Sequence, residues 1–251
     1  VIEIDDDWRI IGFEEKPREP KPMPMEPGHA LISMGNYLFT KEALIRDVSA
    51  DAQSDTVHDF GNSILPSIYT SRRVFAYDFR LNEIPGRSKG EQHDYWRDVG
   101  TIQAFWEANM DLRAVNPAFN LYNRDWPLRT ANYNDPPAKF VFDEEGRRGV
   151  AVNSIVSEGC IISGGWVQNS VLGRNVYIHS YSHVDFSILM DGVDIGRRSR
   201  LRRAIIEKNV KIPPDMEIGY DLAKDRARGY VVDESGIVIV PAREPDSWFD
   251  L

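Results

Sequence analysis

The sequence has a single cysteine, Cys160, among 251 residues, which leaves no internal disulfide and no cysteine-rich metal site and suits a reducing compartment. No stretch approaches the ~18 consecutive apolar residues of a membrane-spanning helix, and no secretory leader stands at the start, so the chain reads as cytoplasmic. Basic residues number 30 against 39 acidic ones, and the formal net charge of −9 disfavours nucleic acid and anionic membrane as bulk partners. An initiating methionine is missing too. Residues 1–4 and 9–13 read at once as two strands around the turn Asp5-Asp6-Asp7, the look of a chain entered in mid-domain as a piece of a longer protein.

What is present is a repeat. One aliphatic residue recurs in steps of six, six and five: Ile155, Ile161, Val167; Leu172, Ile178, Val184; Leu189, Ile195, Leu201; Ile206, Ile212, Ile218. Ile, Val and Leu make up 55 of the 251 residues, so independent draws would fill the twelve positions about once in 10^8 trials. Three near-equal steps per period describe a triangular coil with one inward aliphatic on each short strand, stacked in columns from coil to coil. Asn175, Gly192 and Asn209 fall in one column, where a corner with positive φ is tolerated best. The steps of six resemble the left-handed parallel β-helix of the hexapeptide-repeat families, and the left hand rests on that resemblance.

The front half alternates helix and strand patterns. Five prolines in residues 17–30 mark an exposed loop. Strands are expected over residues 31–39 and 74–79, helices over 41–48 and over 59–69 with Asp59 as cap, and a loop over 80–94. Thr101 caps a helix to about Leu112, with Ile102, Phe105, Trp106 and Met110 near one face. Residues 113–150 hold Pro117, Pro127, Pro136 and Pro137 and read as an ordered connector, and residues 230–232 and 236–240 as a closing hairpin. The fold class expected is α/β plus β, in three parts: an α/β domain over residues 1–112, a connector over 113–150, and coils with their hairpin over 151–251.

Three clusters in the α/β part carry candidate chemistry: residues 13–17 (Phe-Glu-Glu-Lys-Pro), 58–61 (His-Asp-Phe-Gly) and 95–101 (Tyr-Trp-Arg-Asp-Val-Gly-Thr). Each ends a strand or opens a helix, where α/β folds bind ligands and where free N–H groups suit phosphate. Spacing leaves two readings of the first and the last. Asp98 either holds Mg²⁺, a cation that takes carboxylate and phosphate oxygens, or helps cap the helix. Lys16 either neutralises a phosphate as a point charge or pairs with Glu15 on the surface.

These clusters, with Ser33-Met34-Gly35-Asn36-Tyr37-Leu38-Phe39, Asn123-Arg124-Asp125-Trp126-Pro127 and Pro136-Pro137-Ala138-Lys139-Phe140 ahead of the coils, resemble the bacterial glucose-1-phosphate adenylyltransferases (ADP-glucose pyrophosphorylases). The resemblance runs from residue 1 almost to the C-terminus. It implies a partial, Rossmann-like nucleotidyltransferase domain followed by the left-handed β-helix, and a Mg²⁺-dependent reaction of ATP with glucose 1-phosphate that yields ADP-glucose and pyrophosphate for glycogen synthesis. By residue match it makes Glu15 and Lys16 sugar-phosphate ligands and Lys16 and Asp98 catalytic. Ser33, Asp59, Phe60 and Trp96 would line the glucose pocket, and Asp98 would be one of two metal-holding aspartates. The family's Gly-rich nucleotide loop and the partner aspartate have no match in these residues. The expectation is therefore that this chain alone is inactive and that pairing with the missing N-terminal part restores activity.

Arg197, Arg198, Arg200, Arg202, Arg203, Lys208 and Lys211 crowd the third and fourth coils, as a phosphate-binding face or as a solvated face or subunit contact. The resemblance implies a homotetramer regulated by phosphorylated effectors, with Lys208 and Arg243 matching effector positions, the latter across a disturbance at Pro241-Ala242. Two rival readings stand beside it. His179 and His183 have the spacing of a helical zinc pair but flank a coil corner, as ordinary surface residues or as coil histidines of the kind that serve hexapeptide acyltransferases and zinc carbonic anhydrases. Alternatively the chain is a non-catalytic regulatory and assembly module.

Overall fold

The computed structural model describes residues 1–14, 17–23, 26–87 and 91–242. Contacts divide the chain into two compact units, Val1–Asn82 and Glu83–Leu251.

In the first unit Ile2–Ile4 pairs antiparallel with Ile10–Phe13, and the Asp5 carboxylate closes the turn by accepting from the amides of Asp7 and Arg9 at 3.0 and 2.9 Å. Helix α1 (Lys41–Asp51) begins where the Thr40 hydroxyl accepts from the Ala43 amide at 3.3 Å. Asp59 caps one π-helical turn, Phe60–Ile64, that runs on into α2 (Leu65–Ile68). Ile64, Leu65 and Ile68 are buried against Phe13, Tyr37, Phe39, Phe60 and Val74. The two other expected strands do not form ladders. Among the described residues, 31–39 pair only through Leu31, bridged to Ile2, and 74–79 only through Phe75, bridged to Arg9. A strand needs a hydrogen-bonding neighbour along its length, and the short hairpin offers these segments one residue each.

Asp47 is buried on α1, where the Arg46 guanidinium donates to it at 2.8 and 2.9 Å and Arg72 lies 3.7 Å away. The Arg46 hydrogen bonds, more than the charge of either arginine, hold this carboxyl below its ordinary range. A depressed carboxyl stabilises the fold above its unfolded value of ~3.9 and loses that contribution as pH falls through the lower folded value. Melting midpoints followed by circular dichroism between about pH 2 and 6 should therefore fall on the acid side, and Asp47→Asn should flatten that fall.

The second unit is built on a parallel β-solenoid with three faces. The first face holds Ile155–Val156, Val171–Leu172, Ile188–Leu189, Ala204–Ile206 and Val238–Val240, with Val231–Val232 antiparallel at its edge. The second holds Lys139–Val141, Ile161–Ser163, Tyr177–Ile178, Asp194–Ile195 and Lys211–Ile212, and the third Val150–Val152, Trp166–Gln168, His183–Asp185, Arg200–Arg202 and Glu217–Ile218. The solenoid thus starts at Lys139, inside the stretch expected as connector, and the expected closing hairpin is present.

Ten members of the aliphatic series, from Val167 to Ile218, are buried. Ile155 and Ile161 are not the inward residues of the first coil. Pairing sets Val156 beside Leu172 and Ile162 beside Ile178, while Ile161 is 37% exposed. The cause is a shorter corner: Ile162 reaches Val167 in five steps through Gly164-Gly165, where Ile178 takes six to reach Val184. A Cβ on Gly165 would lie 2.7 Å from Ile178 Cγ2, so the shortened path needs glycine there.

The corners repeat a positive φ. Asn175, Gly192 and Asn209 have φ of 57°, 72° and 60°, as their column predicts. Buried serines add a polar ladder: the amides of Ser170, Ser187 and Ala204 donate to the hydroxyls of Ser154, Ser170 and Ser187 one coil earlier.

The first face is apolar on both sides. Leu172, Leu189, Ile206 and Val240 face inward, and their neighbours Val171, Ile188, Ile205 and Ile239 form an outer row. Helix α3 (Ile102–Leu112) covers that row with Ile102, Phe105, Trp106 and Met110, and the Trp106 indole donates to the Phe186 carbonyl at 3.0 Å. This packing places α3 in the second unit, so the division by contacts falls ahead of it, not after residue 112. A short helix α4 (Leu222–Ala227), capped by Asp221, packs beside the last coil. Its buried Asp225 accepts from the Gly219 amide at 2.8 Å.

Candidate active site

In the first unit the Ser33 hydroxyl lies 2.8 Å from the Tyr37 hydroxyl and accepts from the Gly35 amide at 3.2 Å, across a turn in which Gly35 has φ of 72°. Phe60 packs its ring 5.6 Å from Tyr37 and 5.8 Å from Phe39. The structure therefore brings Ser33 and Phe60 together on one aromatic cluster, with Tyr37 as the shared member that sequence reading did not single out. Asp59, next to Phe60, accepts from the Asn62 amide at 2.7 Å and from its side chain at 3.0 Å. Asp59 is exposed and caps the turn that Phe60 opens. Just before it His58 stands at φ of 54°, and its Nδ1 lies 2.8 Å from Asp51, whose carboxyl is held low chiefly by that hydrogen bond.

In the second unit Trp96 and Asp98 share the segment that leads into α3. Tyr95 stacks on Phe119 with centroids 5.0 Å apart, and Arg97 lies over Tyr95 and reaches Asp111 of α3 at 3.4 Å. Trp96 is 38% exposed between these anchors. Asp98 Oδ1 accepts from the Gly100 amide at 2.8 Å, and the next residue, Thr101, caps α3 by accepting from Ala104 at 3.1 Å. A Cβ on Gly100 would approach Asp98 Oδ1 to 3.0 Å, so the carboxylate lies close over the glycine. Asp98 Oδ2 makes no hydrogen bond among the described residues. One carboxylate oxygen fixed by a backbone amide and a second left open is a donor suited to a hard cation, which often takes one or two carboxylates and fills its shell from phosphate and water. No group of three or more His, Cys, Asp or Glu side chains converges among the described residues.

Glu15, Lys16 and Arg243 lie outside the described residues. Lys208 is exposed at the corner after Ala204–Ile206, beside Asn209 with its φ of 60°. The basic run around it is not a uniform positive face. Coil stacking puts an acid 17 residues on: Arg198 pairs with Asp215 at 2.6 Å and Arg200 with Glu217 at 2.7 Å. Arg203 turns to the Trp106 ring, 4.8 Å away, and donates to the Ser235 carbonyl. The histidines part company as well. His179 pairs with Asp194 at 2.9 Å, while His183 stacks on Trp166. Cys160 is buried with its thiol donating to the Gly173 carbonyl at 3.0 Å, and burial pushes its pKa up.

Residues 1–115 match the family model described as Nucleotidyl transferase, and residues 136–240 match that described as GlmU-like, C-terminal hexapeptide. In class the chain is thus similar to a nucleotidyltransferase segment followed by a hexapeptide solenoid. Among curated proteins the chain is 52% identical over 245 residues to the glucose-1-phosphate adenylyltransferase of Anaeromyxobacter sp. (strain Fw109-5), covering 96% of this chain and 59% of that relative. It is 54% identical over 243 residues to that of Thermus thermophilus and 49% over 244 to that of Deinococcus deserti, each match covering 96% of this chain and 58% of the relative. The chain is thus similar to these glucose-1-phosphate adenylyltransferases along almost all of its own length and spans less than two thirds of theirs. No helix among the described residues is long and apolar enough to cross a membrane.

Proposed function

We propose that residues 1–115 supply the sugar-phosphate side of a site that makes ADP-glucose, in the cytoplasm and for glycogen synthesis, within a polypeptide of the relatives' length. The observation that carries this reading is identity of about half the residues along 96% of the chain with proteins named for that activity. In the reaction a phosphate oxygen of glucose 1-phosphate attacks the α-phosphorus of ATP. A new oxygen–phosphorus bond forms, the bond to the bridging oxygen breaks, and pyrophosphate leaves with the electron pair.

Each residue has a physical task. Lys16 and Glu15 bind the sugar phosphate, Lys16 as a fixed positive charge. Ser33, Asp59 and Phe60 line the glucose pocket: the ring supplies an apolar wall, Asp59 accepts from sugar hydroxyls, and the Ser33–Tyr37 hydroxyl pair both donates and accepts. Trp96 has a sugar-packing role. Asp98, whose carboxylate accepts from the Gly100 amide, would hold a divalent metal, Mg²⁺. When bound, that ion supplies charge neutralisation on phosphate oxygens. The solenoid serves assembly into a tetramer and binds phosphorylated effectors near Lys208 and Arg243.

A chimaera tests the reading, with this chain replacing the matching segment of the Thermus thermophilus relative. It is expected to form ADP-glucose from ATP and glucose 1-phosphate and to lose glucose 1-phosphate saturation on Lys16→Ala. A folded chimaera that makes none, or a Lys16→Ala form with unaltered kinetics, overturns it.

A further inference from the structure

The short hairpin between the first strands of the second and third faces has no part in the reading above. Asp143–Glu144 pairs antiparallel with Arg147–Arg148 around Gly146, and the hairpin overhangs the third face. It is pinned there. The Arg147 guanidinium lies 3.4 Å over the Phe142 ring, and its Nε donates to the Ser180 hydroxyl at 3.2 Å. A Cβ on Gly164 would come within 2.8 Å of Arg147 Cγ, so glycine at this corner lets the arginine lie flat against the solenoid.

Between hairpin and face runs a groove of about 440 Å³, lined by Glu144, Glu145, Arg148, Trp166, Tyr181 and His183. Its size is that of a small-molecule site. Its floor is a pair of rings from adjacent coils in direct register, Trp166 and His183, 6.1 Å apart and within 12° of parallel. The Trp166 indole donates to Gln168 at 3.1 Å, which fixes the ring, and Tyr181, 51% exposed, stands at the end of the floor. On the wall Arg148 is engaged by Asp143 at 2.5 Å and Glu144 by Arg147 at 3.6 Å, whereas Glu145 makes no ion pair or hydrogen bond among the described residues.

This chemistry selects a ligand. Two rings stacked on each other leave edges and an outer face and not the box of rings that encloses a cation, so a ligand with an apolar face fits better than an ammonium group. An uncommitted carboxylate beside a neutralised arginine repels phosphate and carboxylate. What fits is an uncharged molecule rich in hydroxyls with one apolar face: a pyranose, whose C–H face lies against an aromatic ring while its hydroxyls donate to a carboxylate. We propose that this groove, lined by none of the residues of the candidate active site, binds one or two rings of a neutral saccharide.

Tryptophan fluorescence of the full 251-residue chain, titrated with maltoheptaose and with cellohexaose, tests this. A saturable change with at least one of the two is expected, weakened about tenfold or more by Trp166→Ala and about threefold or more by Glu145→Gln, and unchanged by Trp126→Ala at another exposed indole. Should Trp166→Ala disturb the fold, Glu145→Gln, at an exposed turn, decides the matter by the same titration. The proposal fails if neither saccharide acts up to about 10 mM, or if both groove variants bind like the wild type. It fails equally if choline or AMP saturates the signal while the saccharides do not, or if Trp166→Ala changes the mass in solution, which would mark the face as a contact between copies.

Discussion

An aspartate at Ile195 should abolish cooperative unfolding of the solenoid. Ile195 is fully buried at the centre of its column, with Ile178 one coil before it and Ile212 one coil after. The substitution removes about 2 kcal/mol of apolar burial and places in the same space a group that costs several more, whether it stays charged or takes up a proton. The sum, on the order of 5 kcal/mol, rivals the whole stability of a typical domain. In a stacked array each coil is held by its neighbours, so a failure in a central coil also strips support from those on either side. Ile195→Val, which only trims a methylene, should cost about 1 kcal/mol and keep the transition sharp. Thermal melts and limited proteolysis separate these results. A wild-type melting curve for the aspartate form would mean that the column is not the core.

The solenoid is legible in the sequence because one steric requirement is imposed again in every coil, so a misreading at one position is outvoted by its column. It fails only at the first coil, for an instructive reason. Ile155-Val156 and Ile161-Ile162 each offer two adjacent aliphatics, and a constant period chooses the wrong one when a glycine corner is one residue short. Paired aliphatics on the first face were a second message. Val171-Leu172, Ile188-Leu189 and Ile205-Ile206 are apolar on both sides because α3 covers the outer row. Aliphatics doubled in successive coils of that face, where the second face doubles only at Ile161-Ile162, could have announced that helix.

The first unit resists such reading since strand patterning says nothing about who the partner is, and among the described residues 31–39 find one only at Leu31. The basic run misleads in the opposite way. Five arginines in seven residues look like a positive patch along the chain, yet stacking supplies Asp215 and Glu217 at the coil spacing. Of the candidate site, the Asp98-to-Thr101 entry into α3 was readable because a cap is a local device. The Tyr37 ring beside Ser33 and Phe60 was not, since it depends on how distant segments pack.

Asp98 offers the sharpest test of the proposed chemistry, because its two readings respond differently to one atom. Its carboxylate accepts from the Gly100 amide ahead of the Thr101 cap, and an asparagine oxygen can accept in the same way. If Asp98 only shapes the entry to α3, Asp98→Asn should behave like the wild type and Asp98→Ala should lose a little stability. If it holds a divalent cation, the negative charge is what matters, and both variants should lower ADP-glucose formation in the chimaera by about two to three orders of magnitude. Both should also raise the Mg²⁺ concentration needed for half-maximal rate and weaken Mn²⁺ binding followed by electron paramagnetic resonance. The helix itself stays anchored by Phe105, Trp106 and Met110 on the solenoid, so circular dichroism should be unchanged in either variant. An asparagine form with full turnover and unaltered metal dependence would assign Asp98 to the cap alone.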